Sequence, residues 1–310
     1  MTQDSAGLLR DLRKHAANVA PRRLAVAATA GARTRHQAAL QQFAQEFPDA
    51  LVTDIGEAVS DVALVVVLCE GENPPQRAYF QTVATVGTEV PIVWGDPWRP
   101  YFQEAPRQAD TGITLQGMLK LLSQYCPVVR PYRGAYCEFG TFDGRTFGLA
   151  YHCLKNVCGK FYAFDSFRGI KGTMADEGHF EDGRWAANVH TFEYNQRWAN
   201  VDMNRVHIVP GFFQDTLAGR TITELGVESV TVANIDVDIY EPAALALDFV
   251  APALQQGSVL MFDDYDHIAA SRAVGERRAL REFLEKHPEI EVEPYRNYGA
   301  AARAFLVHRN

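Results

Sequence analysis

The stretch Val230–Glu241, VTVANIDVDIYE, is an apolar run that ends abruptly in carboxylates, and Met261–Tyr265, MFDDY, repeats the pattern further along the chain. Uninterrupted apolar runs of this length are what a parallel strand buried on both faces requires. In an open α/β sheet the carboxyl ends of such strands face the ligand crevice. Two neighbouring ends would bring Asp236, Asp238, Asp263 and Asp264 into one small space. Like charges so placed repel, and they either hold protons or take up a compensating cation. A hard divalent ion with oxygen ligands is the natural compensator. The competing reading is local: the acids cap the helix that Pro242 opens. His267, just beyond the second stretch, is a partner of these acids, a further ligand, or a solvent-exposed histidine at a helix start.

Working outward, the periodicity predicts a longer α/β series around these two strands. Its strands are Gly134–Gly140, Phe161–Asp165, Val206–Val209, Val230–Asp236, Ser258–Asp263, Ile290–Pro294 and Ala302–His308. Helices are expected over Leu115–Tyr125, Arg145–Lys155, Pro242–Leu254 and Ala269–His287. A long helix followed by a hairpin-like pair points to a doubly wound, mostly parallel seven-stranded sheet with one antiparallel edge strand. Upstream, an amphipathic helix over residues 1–20 with Leu8, Leu9 and Leu12 on one face precedes a second, smaller α/β pattern. RLAVAATA, LVTDI, VALVVVLCE and VPIVW read as its strands, with a helix over TRHQAALQQFAQEF, apolar at Ala38, Leu40, Phe43 and Phe47, and another over PQRAYFQTVATVG. The Pro- and Gly-rich segment GDPWRPYFQEAPRQADTG is the boundary candidate, giving domains at 1–105 and 106–310. The first domain carries no phosphate-binding glycine motif and no acidic strand end, so a structural, oligomerising or substrate-shaping role is expected of it.

Composition narrows the function classes. A chain of 310 residues, 47% hydrophobic, has room for a large core. Its net charge of -8, spread along the chain, offers no footprint for nucleic acid. The longest apolar run, Val62–Cys69, is eight residues, against about 20 for a membrane-spanning helix. Charges scattered through MTQDSAGLLRDLRKH do not suit a signal peptide, and the five cysteines form no C-x-x-C pair. A cytoplasmic protein with reduced, buried thiols, no membrane partner and homo-oligomeric assembly is the expectation.

The first strand of the longer series, YCEFG, runs into TFDGRTFGLAYHCL, so Gly140 and Gly144 lie in a turn that opens a helix. Glycines there let a backbone approach a ligand at the helix N-terminus. The spacing departs from G-x-G-x-x-G, which argues against a dinucleotide oxidoreductase. Asp165, ending the second strand, stands where an acid commonly accepts from ribose hydroxyls. Taken together with GFFQDTL, NIDVDIYEP and MFDDYDH, the blocks CEFGTFDGRT and YAFDSFRGI follow one order and spacing over about 130–310. In these blocks the chain resembles the class I S-adenosylmethionine-dependent methyltransferases with their Rossmann-like fold. Within that class it is similar to the macrocin O-methyltransferase family, which methylates sugar hydroxyls of antibiotics.

The resemblance implies roles residue by residue. Glu138 and Gly140 line the methionine end of S-adenosylmethionine, Asp165 and Ser166 its ribose, and Gly211 and Phe213 the neighbourhood of its adenine. Thr141 and Asp236 complete the cofactor-binding positions. Asp236, Asp263 and Asp264 hold Mg²⁺, and Asp238 is the general base. The implied activity is Mg²⁺-dependent O-methylation of a sugar or glycoside acceptor in natural-product biosynthesis. The alternatives are a methyltransferase for a non-sugar diol or catechol-like scaffold, and a non-catalytic S-adenosylmethionine-binding module. The chain departs from the family pattern at Gly169-Ile170-Lys171 and at Thr216-Leu217-Ala218, where proline is usual; both departures bear on loops near the acceptor. The long segment between Gly169 and Arg205 carries Trp185, His190, Phe192, Tyr194 and Trp198, which read equally as an aromatic lid or as one helix packed on a sheet.

Overall fold

A computed structural model of the chain describes residues 3–69, 76–87, 89–95, 113–129, 133–171 and 183–310. It divides into two compact units, residues 1–105 with 184–195, and residues 106–183 with 196–310. Beyond Gly95, the expected boundary segment lies outside the described residues.

In the first unit, helix α1 (Gln3–Val19) precedes β1 (Leu24–Ala28), α2 (Ala30–Glu46), β2 (Leu51–Asp54), β3 (Leu64–Leu68), α3 (Gln76–Val86) and β4 (Ile92–Trp94). The strands form one parallel sheet in the order β2-β1-β3-β4. The runs LAVAA and LVVVL are buried along their whole length, as central parallel strands must be. Leu8, Leu9 and Leu12 are buried with Phe43 and Val66 in the core of this unit, so the amphipathic reading of α1 corresponds to packing. Thr29 caps α2 by accepting from the Ala32 N–H at 3.2 Å. The buried face of α2 runs through Ala32, His36, Ala39, Leu40 and Phe43, passing over Ala38, which the helical period puts on the opposite side.

The second unit contains α4 (Leu115–Val129), β5 (Ala135–Phe139), α5 (Arg145–Leu154), β6 (Phe161–Asp165), α6 (Val189–Trp198, whose residues to Asn195 group with the first unit), β7 (Val206–Pro210) and the one-turn α7 (Phe213–Thr216). It ends with β8 (Val230–Ile235), α8 (Tyr240–Val250), β9 (Leu254–Phe262), α9 (Gly275–Lys286), β10 (Ile290–Asn297) and β11 (Arg303–Arg309). Its seven strands lie in the order β10-β11-β9-β8-β5-β6-β7. All neighbours are parallel except those of β11, which runs against both β9 and β10. The antiparallel strand therefore sits one in from the edge, because the tight hairpin after β10 forces a reversal and feeds β11 back beside β9. The helix expected from Ala269 starts at Gly275 instead, since Ala269 and Ala270 adopt φ values of 49° and 53° that no α-helix accommodates.

Register decides what each face of this sheet carries. Glu138 lies beside Asn234, Asn234 beside Met261, and Met261 beside Ala304. One residue on, Phe139, Ile235 and Phe262 turn to the opposite face, where they join Ala246, Leu247 and Phe249 of α8 and Leu280 and Phe283 of α9. Alternation thus sends the phenylalanines to the helical core and the polar residues to the other face.

Candidate active site

The ladder continues past the assigned strand ends: the Asp236 N–H donates to the Phe139 carbonyl at 2.9 Å and the Asp263 N–H to the Ile235 carbonyl at 3.0 Å. Asp236 and Asp263 are consequently side by side on neighbouring strands and on the polar face. One carboxylate oxygen from each of Asp236, Asp263 and Asp264 falls within 4.8 Å of the others. Burial, then the charges of Asp263, Asp264 and Asp238, pushes the Asp236 carboxyl well above its ordinary range. Burial and Asp264 lift Asp263 to about 7, and burial and Asp238 lift Asp264 to about 7. Such crowding is unfavourable for anions unless a cation offsets it.

The arginines nearby do not supply that cation. Arg277 reaches Asp266 at 2.7 Å and Arg303 reaches the other Asp266 oxygen, also at 2.7 Å, so the acid two residues beyond Asp264 takes both guanidinium groups. Among the described residues, Asp236, Asp263 and Asp264 make no ion pair with lysine or arginine; His267, more than half exposed, stands 3.4 Å from Asp264. An all-oxygen set of this span fits a hard divalent cation. Capping does not account for the acids: the cap position of α8 is Ile239, which offers no side-chain acceptor. Asp238, one residue earlier, is held at φ 63°, in the left-handed region that Asp and Asn tolerate better than other side chains.

The glycine turn lies alongside. Gly140 has φ 87°, and a Cβ there would run into the carbonyl of Asp236, so close approach of the two strand ends requires glycine. Gly144, at φ 83°, precedes α5, and the Asp143 carboxylate beside it accepts the Arg145 N–H of the first turn at 3.3 Å and the Arg145 Nε–H at 2.6 Å. Glu138 is fully buried; the Tyr136 hydroxyl donates to its Oε2, while Oε1 has no partner among the described residues. Burial raises its carboxyl to about 8, against the opposing influence of the Tyr136 hydroxyl and the neighbouring Asn234 side chain. Thr141 is buried with an unpartnered hydroxyl. A buried carboxyl oxygen without a partner among the described residues is a place where a ligand cation can be received.

The other cofactor positions are arranged differently from one another. The Asp165 carboxylate accepts the N–H of Phe142 at 2.8 Å and of Phe167 at 2.6 Å, tying together two turns whose residues have φ 49° and 52°. A carboxylate accepts about four hydrogen bonds, so capacity for a ribose hydroxyl remains. The Ser166 hydroxyl is engaged within its own turn, donating to Gly169 O at 2.9 Å and accepting from Arg168 N–H at 3.0 Å. Gly211, at φ 135°, donates its N–H to Asp165 O at 2.9 Å. Phe213 is buried and packs edge-on against Phe139 at 5.8 Å, which commits its ring to the core; Phe212, beneath the Lys171 ammonium at 5.2 Å, is the partly exposed ring of that turn.

Two buried residues at the acidic cluster have no counterpart in the sequence reading. Glu276, in the first turn of α9, accepts the Asp264 N–H at 3.1 Å and more weakly the Val237 N–H at 3.5 Å. Tyr298, in the hairpin before β11, is 3% exposed, and its hydroxyl has no partner among the described residues. In sequence the first resembles an ordinary first-turn acid and the second a turn tyrosine; only tertiary packing distinguishes them. The aromatic segment resolves toward a packed helix: Phe192 is buried, Trp185 meets Phe80 edge-on at 5.7 Å, and the Tyr194 hydroxyl lies 2.7 Å from His15 Nδ1.

A seven-stranded sheet in this order, opening on a glycine turn and with its antiparallel strand one in from the edge, is the fold of the class I methyltransferases. The chain belongs to the macrocin-O-methyltransferase (TylF) family, whose model matches residues 99–293. A curated relative from Streptomyces olivaceus, 8-demethyl-8-(2,3-dimethoxy-alpha-L-rhamnosyl)-tetracenomycin-C 4'-O-methyltransferase, is 28% identical over 156 residues. The match takes in 47% of this chain and 58% of the relative, so it spans less than two thirds of that protein's length. Among solved structures, the O-methyltransferase NovP is 19% identical, with 62% of this chain and 78% of that one covered and a TM-score of 0.51. The calicheamicin methyltransferase CalS11 is 20% identical, with coverage of 67% and 82% and a TM-score of 0.51.

Proposed function

We propose that this protein transfers the methyl group of S-adenosylmethionine to a hydroxyl of a sugar on a natural-product glycoside. The observation that carries the reading is the set of three converging carboxylates, without lysine or arginine partners among the described residues, at the strand ends beside the Glu138 oxygen that likewise has none. Membership of the macrocin-O-methyltransferase family supports the transfer, and the rhamnosyl group named in the Streptomyces olivaceus relative supports a sugar acceptor.

Glu138 receives the ammonium of the donor and Asp165 a ribose hydroxyl, while Phe212 borders the adenine. Asp236, Asp263 and Asp264 hold Mg²⁺, which when bound lowers the pKa of an acceptor hydroxyl and fixes the orientation of a vicinal diol. Asp238 takes the hydroxyl proton as the new O–CH3 bond forms and the S–CH3 bond breaks with its electron pair passing to sulfur. Alignment of donor and acceptor is worth up to about 7–11 kcal/mol of the barrier, so much of the work of these residues is placement. The first unit carries no comparable cluster among its described residues, and we assign it a scaffolding or acceptor-shaping part. Four of the five cysteines, Cys69, Cys126, Cys137 and Cys158, are buried, as small apolar side chains commonly are.

The test is turnover of a rhamnosylated glycoside and of a catechol by EDTA-treated protein, before and after Mg²⁺ is restored. Mg²⁺-restored methylation of the glycoside is expected. Undiminished activity after chelation would remove the cation from the reading, and turnover of the catechol alone would replace the sugar.

A further inference from the structure

Between the two acidic strand ends and the last hairpin lies a second tier of polar groups. The hairpin turn is fastened at the site: Asp266 N–H donates to Ala301 O at 3.0 Å, and Arg303 pairs with Phe262, the residue before Asp263. Tyr298 closes this hairpin through its N–H to Ala302 O at 3.3 Å and is buried, its hydroxyl without a partner among the described residues. Burial, then the charges of Asp263, Glu276, Asp236 and Asp264, pushes its phenol well above the ordinary value. Glu276, 1% exposed, faces Asp264, Asp263 and Asp238, and its acceptors serve backbone N–H groups from both acidic ends. A carboxylate that bonds both ends sets their separation.

Leaving a buried hydroxyl unpaired costs about 1–3 kcal/mol. Here the hydroxyl belongs to the hairpin that Asp266 and Phe262 fasten to the second acidic strand end. We propose that Tyr298 and Glu276 are positioning residues for the divalent cation: Glu276 fixes the spacing of the two acidic strand ends, and the Tyr298 hydroxyl donates to the carboxylates that ligate the ion. The inference rests on the cation reading above and extends it to groups that never touch the metal. Partners that orient metal ligands are typically worth about 10–100-fold in affinity.

The experiment measures Mn²⁺ binding by electron paramagnetic resonance, and S-adenosylhomocysteine binding by calorimetry, for the wild-type protein and for Y298F, E276Q and E276A. Y298F is expected to bind Mn²⁺ about 10–100-fold more weakly while its metal-free melting temperature holds or rises, because the lost hydroxyl had no partner there. E276Q, which keeps one acceptor, is expected to fall between wild type and E276A in Mn²⁺ affinity. S-adenosylhomocysteine binding stays at the wild-type level in Y298F and E276Q. Wild-type Mn²⁺ affinity in Y298F and E276Q overturns the inference and leaves the cation site standing. Parallel loss of Mn²⁺ and S-adenosylhomocysteine binding overturns it in favour of general packing, and absence of Mn²⁺ binding by the wild-type protein overturns the cation reading along with it.

Discussion

Glu138 is a carboxyl group that its own strand buries completely, and its pKa of about 8 follows from that burial. In the ligand-free protein at neutral pH it holds a proton. A ligand ammonium favours the ionised form, so binding must expel that proton at any pH below about 8. The affinity for S-adenosylhomocysteine should therefore rise as pH increases from 6 to 8, by up to about tenfold per unit, and level off above. Calorimetric titration across that range checks it, and Glu138→Gln should bind weakly with no such slope. At Asp238 the constraint is conformational as well as chemical, because the residue sits at φ 63°. Asn tolerates this backbone and cannot accept the proton, so Asp238→Asn should lower kcat by about 10²–10⁴-fold with Mn²⁺ and S-adenosylhomocysteine affinities retained. Loss of ligand binding in that variant would move Asp238 from catalysis to architecture.

At the scale of elements, strand register converts a linear pattern into a site. Because Ile235 pairs with Phe262, the residues that follow, Asp236 and Asp263, are neighbours without any special loop. That much was legible in NIDVD and MFDDY, since a buried apolar run ending in acids has few other uses. Glu276 and Tyr298 were not legible: one is brought to the site by the helix after it, the other by a hairpin, and neither carries a local pattern. The inward place of β11 was hidden for the same reason, since a hairpin sequence specifies reversal but not which strand of the pair takes the neighbouring edge. The aromatic segment shows composition misleading in a further way. In α6, Thr191 accepts the Ile92 N–H at 2.8 Å and donates to the Ile92 carbonyl at 3.2 Å, while Asn188 donates to the Val90 carbonyl at 2.9 Å, so a helix satisfies the open edge of β4. Thr191→Val keeps the shape and strands the Ile92 N–H, while the Ile92 carbonyl keeps the Tyr79 hydroxyl at 3.0 Å. It should cost about 1–3 kcal/mol, read as a lower denaturant midpoint, and a midpoint equal to wild type would show that this edge finds other partners.

For the whole molecule, the buried acids make stability a function of pH with a definite sign. Glu138 moves from an ordinary value of 4.5 to about 8, and Asp165 from 3.8 to about 6, burial being the largest cause for both. Both folded values lie above the unfolded ones, so the folded chain binds protons that the unfolded chain has already released. Their stabilising contribution is complete below about pH 4 and is lost as pH rises, through about 6 for Asp165 and about 8 for Glu138. Each such group contributes a slope of at most about 1.4 kcal/mol per pH unit. The net charge of -8 pulls in the same direction, since self-repulsion grows as the remaining protons leave. Salt separates the two contributions: screening at high ionic strength weakens repulsion between exposed charges and leaves buried desolvation almost untouched. Denaturant midpoints of the metal-free protein should accordingly fall from pH 5 to pH 8, with most of the fall surviving in high salt. In Glu138→Gln the decline between pH 6 and 8 should be shallower, because a group titrating near 8 is gone; an unchanged decline in that variant would mean that the other acids dominate this window.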